Sequence, residues 1–247
     1  MQVTAQEIRK ILRSLGDVIT AEHSQRFFKT GEGDYGAGDK FLGIRVPVLR
    51  KQVKKYKGIS IKEILRLLKS SYHEERLFAL LMLVEKFSKG SLGEKAEIFE
   101  LYLNNTRYVN NWDLVDSSAS YIVGAYLEDK DKQPIYNLAK SKNLWERRIS
   151  IISTFHMIKR NDFSDALAIS TILKNDKEDL IHKAVGWMLR EIGKRNLSVE
   201  KAFLKKHYKE MPRTMLRYAI EKLPEVQRKM YLKAVARSHV ITCDPRG

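Results

Sequence analysis

The chain has 247 residues, of which 46 are lysine or arginine and 30 are aspartate or glutamate, giving a formal net charge of +16. A single cysteine, Cys243, excludes a disulfide framework, and no apolar run reaches the ~18 residues that a transmembrane helix needs. We therefore expect an intracellular, cytoplasmic protein without a membrane segment. Nucleic acid is the leading partner, because a basic face gains affinity by neutralising phosphates and releasing counterions.

Helical periodicity runs through most of the sequence. The first segment, TAQEIRKILRSLG, has a capping box of Thr4 and Glu7, apolar residues at helical spacing, and Gly16 as a stop signal. Later helical segments include SIKEILRLLKSS, HEERLFALLMLVEKFSKG, GEKAEIFELYLNN, WDLVDSSASYIVGAYL, LWERRISIISTFHMIKR, DLIHKAVGWMLREIGKR and TMLRYAIEKLP. No alternating strand pattern of useful length occurs, so the sequence predicts an all-α fold.

The glycine-rich stretch TGEGDYGAGDKFLG interrupts this helical pattern. Gly31, Gly33 and Gly36 match the spacing of a dinucleotide-binding loop, but no predicted strand precedes them. Glu32 and Asp34 would also repel a phosphate from within the turn. We interpret residues 30–40 as a flexible connection.

The longer helices resemble one another and recur at intervals of about 32 to 40 residues. This period is typical of helix-pair solenoids of the HEAT or armadillo type. The sequence therefore predicts one domain over residues 1–247, a curved α-solenoid of HEAT-like repeats with a C-terminal tail at about 238–247. Alignment of the repeats places Arg76, Asp116, Arg148, Lys183 and Arg217 at equivalent positions.

Equivalent positions of a solenoid line one surface, so four cations and one carboxylate are expected to form a row. We predict that Arg76, Arg148, Lys183 and Arg217 bind DNA phosphates. Asp116 either has a structural role or acts on what is bound there. Trp112 precedes Asp116 by one helical turn, and Trp187 follows Lys183 by one turn.

Trp145 and Asp113 lie close in sequence to the predicted site residues, but each has a simpler structural explanation. Trp145 lies three residues before Arg148 and is expected to belong to the core. Asp113 is favoured at the start of a helix by the helix dipole and by free backbone N–H groups. Asp113 is therefore interpreted as a helix-start residue.

The segments NNWDLVDSSASYIVGAYL, NLWERRISI and HKAVGWMLREIGK, together with FLGIRVPVLRK, resemble the AlkD-like DNA alkylation repair glycosylases, a bacterial family of HEAT-like repeat proteins. The resemblance covers about residues 20–225. It implies an enzyme that hydrolyses the N-glycosidic bond of N3- and N7-alkylated purines in duplex DNA without a metal or organic cofactor. The family's catalytic aspartate matches Asp116, its two active-site aromatics match Trp112 and Trp187, and its phosphate-binding arginine matches Arg148. Asn111 departs from the family pattern, which often has an aromatic residue there.

Two classes of function remain open. One is a monomeric glycosylase in which Asp116 stabilises the oxocarbenium-like sugar and orients water. The other is a non-catalytic HEAT-like module that binds DNA or an acidic protein, since a fold can keep binding after losing chemistry.

Overall fold

The computed structural model describes residues 3–240, and their side chains up to residue 233. Throughout these residues the regular structure is helical, and Lys40 and Tyr72 form an isolated β-bridge. The predicted all-α class is confirmed. Residues 241–247, which hold Cys243 and most of the predicted tail, lie outside the described residues.

The chain forms two compact units, Met1–Tyr126 and Leu127–Gly247. The single repeat domain over residues 1–247 stays a prediction. Each unit has its own apolar core, and consecutive helices pack on each other, as helix-pair repeats require.

The first unit contains seven α-helices among its described residues, all of moderate length except the last. They are α1 (Ala5–Ser14), α2 (Val18–Phe27), α3 (Val46–Lys55), α4 (Ile61–Leu68), α5 (His73–Lys89), α6 (Leu92–Leu103) and α7 (Trp112–Asp116). A 3₁₀ turn at Thr106–Tyr108 precedes α7, and a π-helical turn at Ser120–Gly124 follows it.

Side-chain caps start several of these helices, and one of them is the predicted Thr4–Glu7 capping box. The Thr4 hydroxyl accepts from the Glu7 amide, and the Glu7 carboxylate accepts from the Thr4 amide at 2.8 Å. Ser91 and Glu94 form the same reciprocal pair at the start of α6. These bonds satisfy amides that the first turn of a helix leaves without intrahelical partners.

The predicted continuous helix over WDLVDSSASYIVGAYL is wrong. Regular α-structure ends at Asp116, and a π-turn forms from Ser120. The hydroxyl groups of Ser117 and Ser118 both donate to the Leu114 carbonyl, at 3.3 and 2.6 Å. Such bonds compete with the backbone ladder and bend helices. Asp116 therefore lies at a helix end rather than in a helix interior.

Buried charges anchor the glycine-rich connection at its C-terminal end. The Glu74 carboxylate accepts from the backbone amides of Leu42, Gly43 and Ile44 at 2.8 to 3.2 Å. Gly43 has φ +78°, and a Cβ there would lie 2.0 Å from the Asp17 carbonyl oxygen. Only glycine fits this close approach. The FLGI segment is thus tied to the first turn of α5.

The second unit continues the helical pattern. Its helices are α8 (Gln133–Ala139), α9 (Leu144–Ser153), α10 (Phe155–Ile158), α11 (Ser164–Leu173), α12 (Asp179–Gly193), α13 (Leu197–His207), α14 (Arg213–Ala219) and α15 (Glu225–Val240), with a 3₁₀ turn at Ile220–Lys222. Helix α12 packs against α9, α11, α13 and α14 and so forms the centre of this unit. Its Gly186 lies so close to α14 that a Cβ would come within 2.4 Å of the Met215 carbonyl oxygen.

Glu200 on α13 is an acidic side chain inside this unit. It is 2 % exposed and lies against Gly193, where a Cβ would come 1.8 Å from Oε2. Burial raises the pKa of the Glu200 carboxyl to about 7, so much of it is protonated in the native state near neutral pH.

Glu200→Gln should stabilise the protein more strongly at pH 8 than at pH 5. The native state holds this proton up to about pH 7, whereas an unfolded chain releases it near pH 4.5. Stability is therefore lost as pH rises from 4.5 through 7, and the neutral amide removes this loss. Melting temperatures of both proteins across this range should show the difference widening by a few degrees. A melting-temperature difference between Glu200→Gln and the wild type that does not change with pH would contradict this prediction.

Candidate functional site

Trp112 lies in a cluster of aromatic rings in the first unit. Its half-buried indole stacks on Phe28 with ring centroids 5.2 Å apart, and it meets Phe27 edge-on at 5.9 Å. Phe28 stacks in turn on Phe41 at 5.1 Å, and both phenylalanines contact the His73 ring. Trp112 is therefore held on one side by packed rings.

Asn111 starts α7. Its side chain is fully buried, and its Oδ1 accepts from the Trp112 amide at 2.8 Å. Its Nδ2 approaches Asp39 Oδ2 at 3.5 Å. Where an aromatic residue is frequent in the resembling family, this chain has a polar cap, which helps to fix the first turn of α7.

Asp113 lies in the first turn of α7, and its carboxylate also bonds to a side chain of another helix. Its Oδ2 lies 2.8 Å from His73 Nε2, while the other ring nitrogen, Nδ1, lies 3.4 Å from Asp39 Oδ2. The Asp39 carboxylate also accepts two bonds from Arg76 at 2.8 Å. Asp39, His73, Arg76 and Asp113 form a network, called here the Asp39 network, which joins the glycine-rich connection to α5 and α7.

The charges of the Asp39 network stabilise one another. Burial alone would lower the pKa of His73, but the charge and hydrogen bond of Asp113 and the bond to Asp39 raise it to about 9. Burial would raise the pKa of Asp39, but His73 and Arg76 hold it below its usual value. At neutral pH the network thus contains two cations and two carboxylates.

Asp116 is the last residue of α7 and is half-buried. Ser118 follows Asp116 by two residues. Its hydroxyl group lies 2.9 Å from that of Tyr102, which is fully buried. Burial raises the pKa of Tyr102 well above its usual value, and the negative charge of Asp116 raises it further. Tyr102 is therefore a neutral phenol near Asp116.

In the second unit, Trp187 is half-buried on α12, and its indole Nε1 donates to Glu191 Oε1 at 3.2 Å. Its ring lies 5.7 Å from that of Phe155. The Lys159 ammonium sits 4.1 Å from the Phe155 ring centroid, and the Arg195 guanidinium lies 6.0 Å from it. This group of aromatic and cationic side chains is not evident from the spacing of the repeats.

The other expected cations of the second unit differ in exposure. Arg148 is only 5 % exposed, and its Nη1 donates to the Leu180 carbonyl at 2.6 Å. Lys183 pairs with Asp179 at 2.7 Å, while Arg217 is exposed. Trp145 is buried, in agreement with a place in the core.

Comparison with known proteins agrees with this all-helical architecture. The family model described as DNA alkylation repair enzyme matches residues 8–223. The chain belongs to this family. A role in DNA repair follows from the membership.

Two solved structures share the fold of this family member. A protein from Enterococcus faecalis, described as a predicted DNA alkylation repair enzyme, has a TM-score of 0.65 at 16 % identity; the match covers 85 % of this chain and 97 % of that one. AlkD2 from Streptococcus mutans has a TM-score of 0.52 at 19 % identity, with 83 % and 97 % covered. No curated protein matches the sequence significantly.

Within residues 3–240 no group of three or more histidine, cysteine or acidic side chains is arranged to hold a metal ion. No helix in the same part of this repair-family chain is long and apolar enough to cross a bilayer.

The structure corrects the expectation for Arg76. This side chain is 3 % exposed, and its guanidinium is bound to Asp39 and to the Ser70 carbonyl oxygen. A DNA phosphate would have to displace a buried ion pair to reach it, so Arg76 is a structural residue of the repair protein. The repeat pattern places Arg76 on its helix but does not show that the glycine-rich connection covers it.

Arg76→Ala should destabilise the first unit. The change removes the guanidinium whose Nη2 donates to both oxygens of the buried Asp39 carboxylate. Removal of one member of a buried ion pair costs about 3 to 5 kcal/mol. Chemical denaturation would measure this loss, with Arg217→Ala as the exposed control that keeps wild-type stability. Wild-type stability of Arg76→Ala together with weaker DNA binding would restore the original assignment.

Proposed function

We propose that this DNA alkylation repair family member is an N-glycosylase that releases N3- and N7-alkylated purines from duplex DNA. The observation that best supports the proposal is the pairing of Trp112 and Asp116 on α7. They lie four residues apart on a five-residue helix, and both are half-buried rather than enclosed. Residues at this spacing share a helix face.

The reaction suits a single carboxylate. A 3- or 7-alkylpurine carries positive charge, so the electrons of the breaking C1′–N bond neutralise the departing base and no general acid is required. The sugar becomes oxocarbenium-like, water adds to C1′, and one of the water's two protons passes to the solvent, which leaves a hydroxyl on C1′. Asp116 stabilises the positive sugar and orients the water, an interaction that strengthens as the charge forms. Two-carboxylate glycosidases, in contrast, must protonate a poor leaving group.

The resemblance assigns Trp112 and Trp187 to contacts with the nucleotide around the lesion. The face of an indole attracts positive charge, which contributes about 1 to 2 kcal/mol when water is excluded. Trp112 is supported by Phe28 from behind, and the Trp187 ring is oriented by its bond to Glu191. Fixed rings lose little conformational freedom on binding.

DNA binding is assigned to Arg148, Lys183 and Arg217, with support from the net charge of +16. Arg217 is exposed and Lys183 lies in an exposed pair with Asp179, so both are accessible to phosphates. The role of Arg148 rests on the resemblance, because its guanidinium is bound to the Leu180 carbonyl. In this proposal the protein acts as a monomer in the cytoplasm, on nucleoid DNA, without a metal or organic cofactor.

Asp116→Asn should abolish most base release while leaving DNA binding intact. The amide keeps the shape of the carboxylate but not its charge, and loss of one such electrostatic contact costs about 10²- to 10³-fold in rate. Single-turnover release of 7-methylguanine from methylated duplex DNA measures this effect, with affinity followed in parallel.

Asp129→Asn, at an exposed position, is the matched control and should behave as wild type. Equal rates for wild type and Asp116→Asn would remove Asp116 from the reaction. If the wild type releases neither 7-methylguanine nor 3-methyladenine, while binding DNA, the non-catalytic DNA-binding module becomes the better description.

Affinity for duplex DNA should fall steeply with salt. Each phosphate contact releases a condensed counterion, so the logarithm of the association constant falls by about 0.9 per contact for each tenfold rise in salt. Arg217→Ala should reduce the magnitude of this slope by about 0.9, the value for one phosphate contact. It should weaken binding to methylated and unmethylated DNA by similar factors. Fluorescence anisotropy over a salt series would measure both. A slope near zero would contradict a role for the predicted cations.

A further inference from the structure

His73 is bonded on both sides. Its Nε2 lies 2.8 Å from Asp113 and its Nδ1 lies 3.4 Å from Asp39, so each ring nitrogen faces a carboxylate. A carboxylate only accepts, and a neutral imidazole donates from only one nitrogen. Both bonds form together only when His73 is an imidazolium. The side chain is 2 % exposed, so it holds this charge away from water.

The charged groups acting on the ring come from three elements: Asp113 from α7, Asp39 from the glycine-rich connection, and Arg76 from its own helix, α5. The two carboxylates favour the charged form, and the arginine opposes it. The resulting pKa of about 9 keeps the ring charged through the neutral range.

The bond to Asp113 reaches the helix that bears the proposed catalytic group. Helix α7 has five residues, too few to be stable without tertiary contacts. Its polar anchors are the Asn111 cap and the Asp113–His73 bond, and its buried apolar residues are Leu114 and Val115. The Asp113 carbonyl oxygen also accepts from the Ser117 amide at 3.0 Å, which closes the turn that contains Asp116.

His73 also supports Trp112 through a second contact. Its ring lies 4.9 Å from Phe28, and Phe28 stacks on the Trp112 indole. The His73 ring thus contacts the first turn of α7 directly, through Asp113, and reaches Trp112 through Phe28.

We propose that His73, as an imidazolium held between Asp39 and Asp113, is a positioning residue that fixes α7 and thereby Asp116 and Trp112 for the reaction. This rests on the proposed glycosylase function. His73 touches neither the DNA nor the alkylated base; it acts through Asp113 and Phe28.

The test combines His73→Gln, Asp113→Asn and the double variant in single-turnover release of 7-methylguanine from methylated duplex DNA. Glutamine and asparagine keep hydrogen-bonding groups but remove the charges. Each single change should slow release by about 10- to 100-fold, as a small displacement of a reacting group does, with little change in DNA affinity. Because His73 acts through Asp113, the double variant should be no slower than the slower single variant.

His207→Gln is the matched control. His207 is also buried, and its ring lies 4.6 Å from that of Phe203, but it is on α13 of the other unit. It should release base at the wild-type rate. A His73→Gln rate equal to that of the wild type, or fully multiplicative effects of the two single changes, would overturn the proposal.

A spectroscopic readout separates this proposal from the proposed function. In ¹⁵N-labelled wild type at pH 7.5, both His73 ring nitrogens should show imidazolium shifts that titrate near pH 9, and His73→Gln should move the α7 amide signals. If the wild type releases no base, the glycosylase proposal fails, and unmoved α7 signals would overturn the positioning role as well. A neutral His73 at pH 7.5 overturns it in either case. If His73→Gln does not fold, Asp113→Asn and the wild-type titration still decide.

Discussion

The buried Asp39 carboxylate is the charged group on which the junction of the glycine-rich connection, α5 and the start of α7 depends. A buried carboxylate is costly unless cations and donors surround it. Here two bonds come from Arg76, one comes from His73, and the Asn111 amide is nearby. Those partners come from α5 and from the start of α7. One charge in a glycine-rich connection therefore determines where the proposed catalytic helix begins.

This arrangement explains how a short helix holds Asp116, the proposed catalytic group, in place. The backbone hydrogen bonds of a five-residue helix are too few to offset the conformational entropy lost when the helix forms. The Asn111 cap, the Asp113–His73 bond and the serine hydroxyls after Asp116 fix both ends of α7. A carboxylate held in this way needs little rearrangement as positive charge develops beside it, which is the condition for electrostatic stabilisation of a transition state.

The sequence predicts local structure well and long-range contacts poorly. Capping boxes such as Thr4 with Glu7 act over three residues, so helix starts are visible in the sequence. The Asp39–Arg76 pair spans 37 residues, and Asp113–His73 spans 40. Helical periodicity gave Arg76 the same position as Arg217, yet one is buried and the other exposed. Periodicity reports the angle of a side chain around its helix, whereas burial depends on what the rest of the chain places over it.

Burial by the rest of the chain also distinguishes the acidic residues of this protein, whose net charge is +16. Several carboxylates are enclosed: Glu74 binds backbone amides, Glu75 pairs with Arg9, and Asp39 pairs with Arg76. Enclosure with a positive partner removes their repulsion toward an approaching phosphate. Asp116 remains only half-buried at a helix end, so its charge extends further toward the solvent. Near a polyanion, one accessible carboxylate weakens general binding. That cost is offset if positive charge forms beside it during the reaction, which is the situation when an alkylated base leaves a sugar.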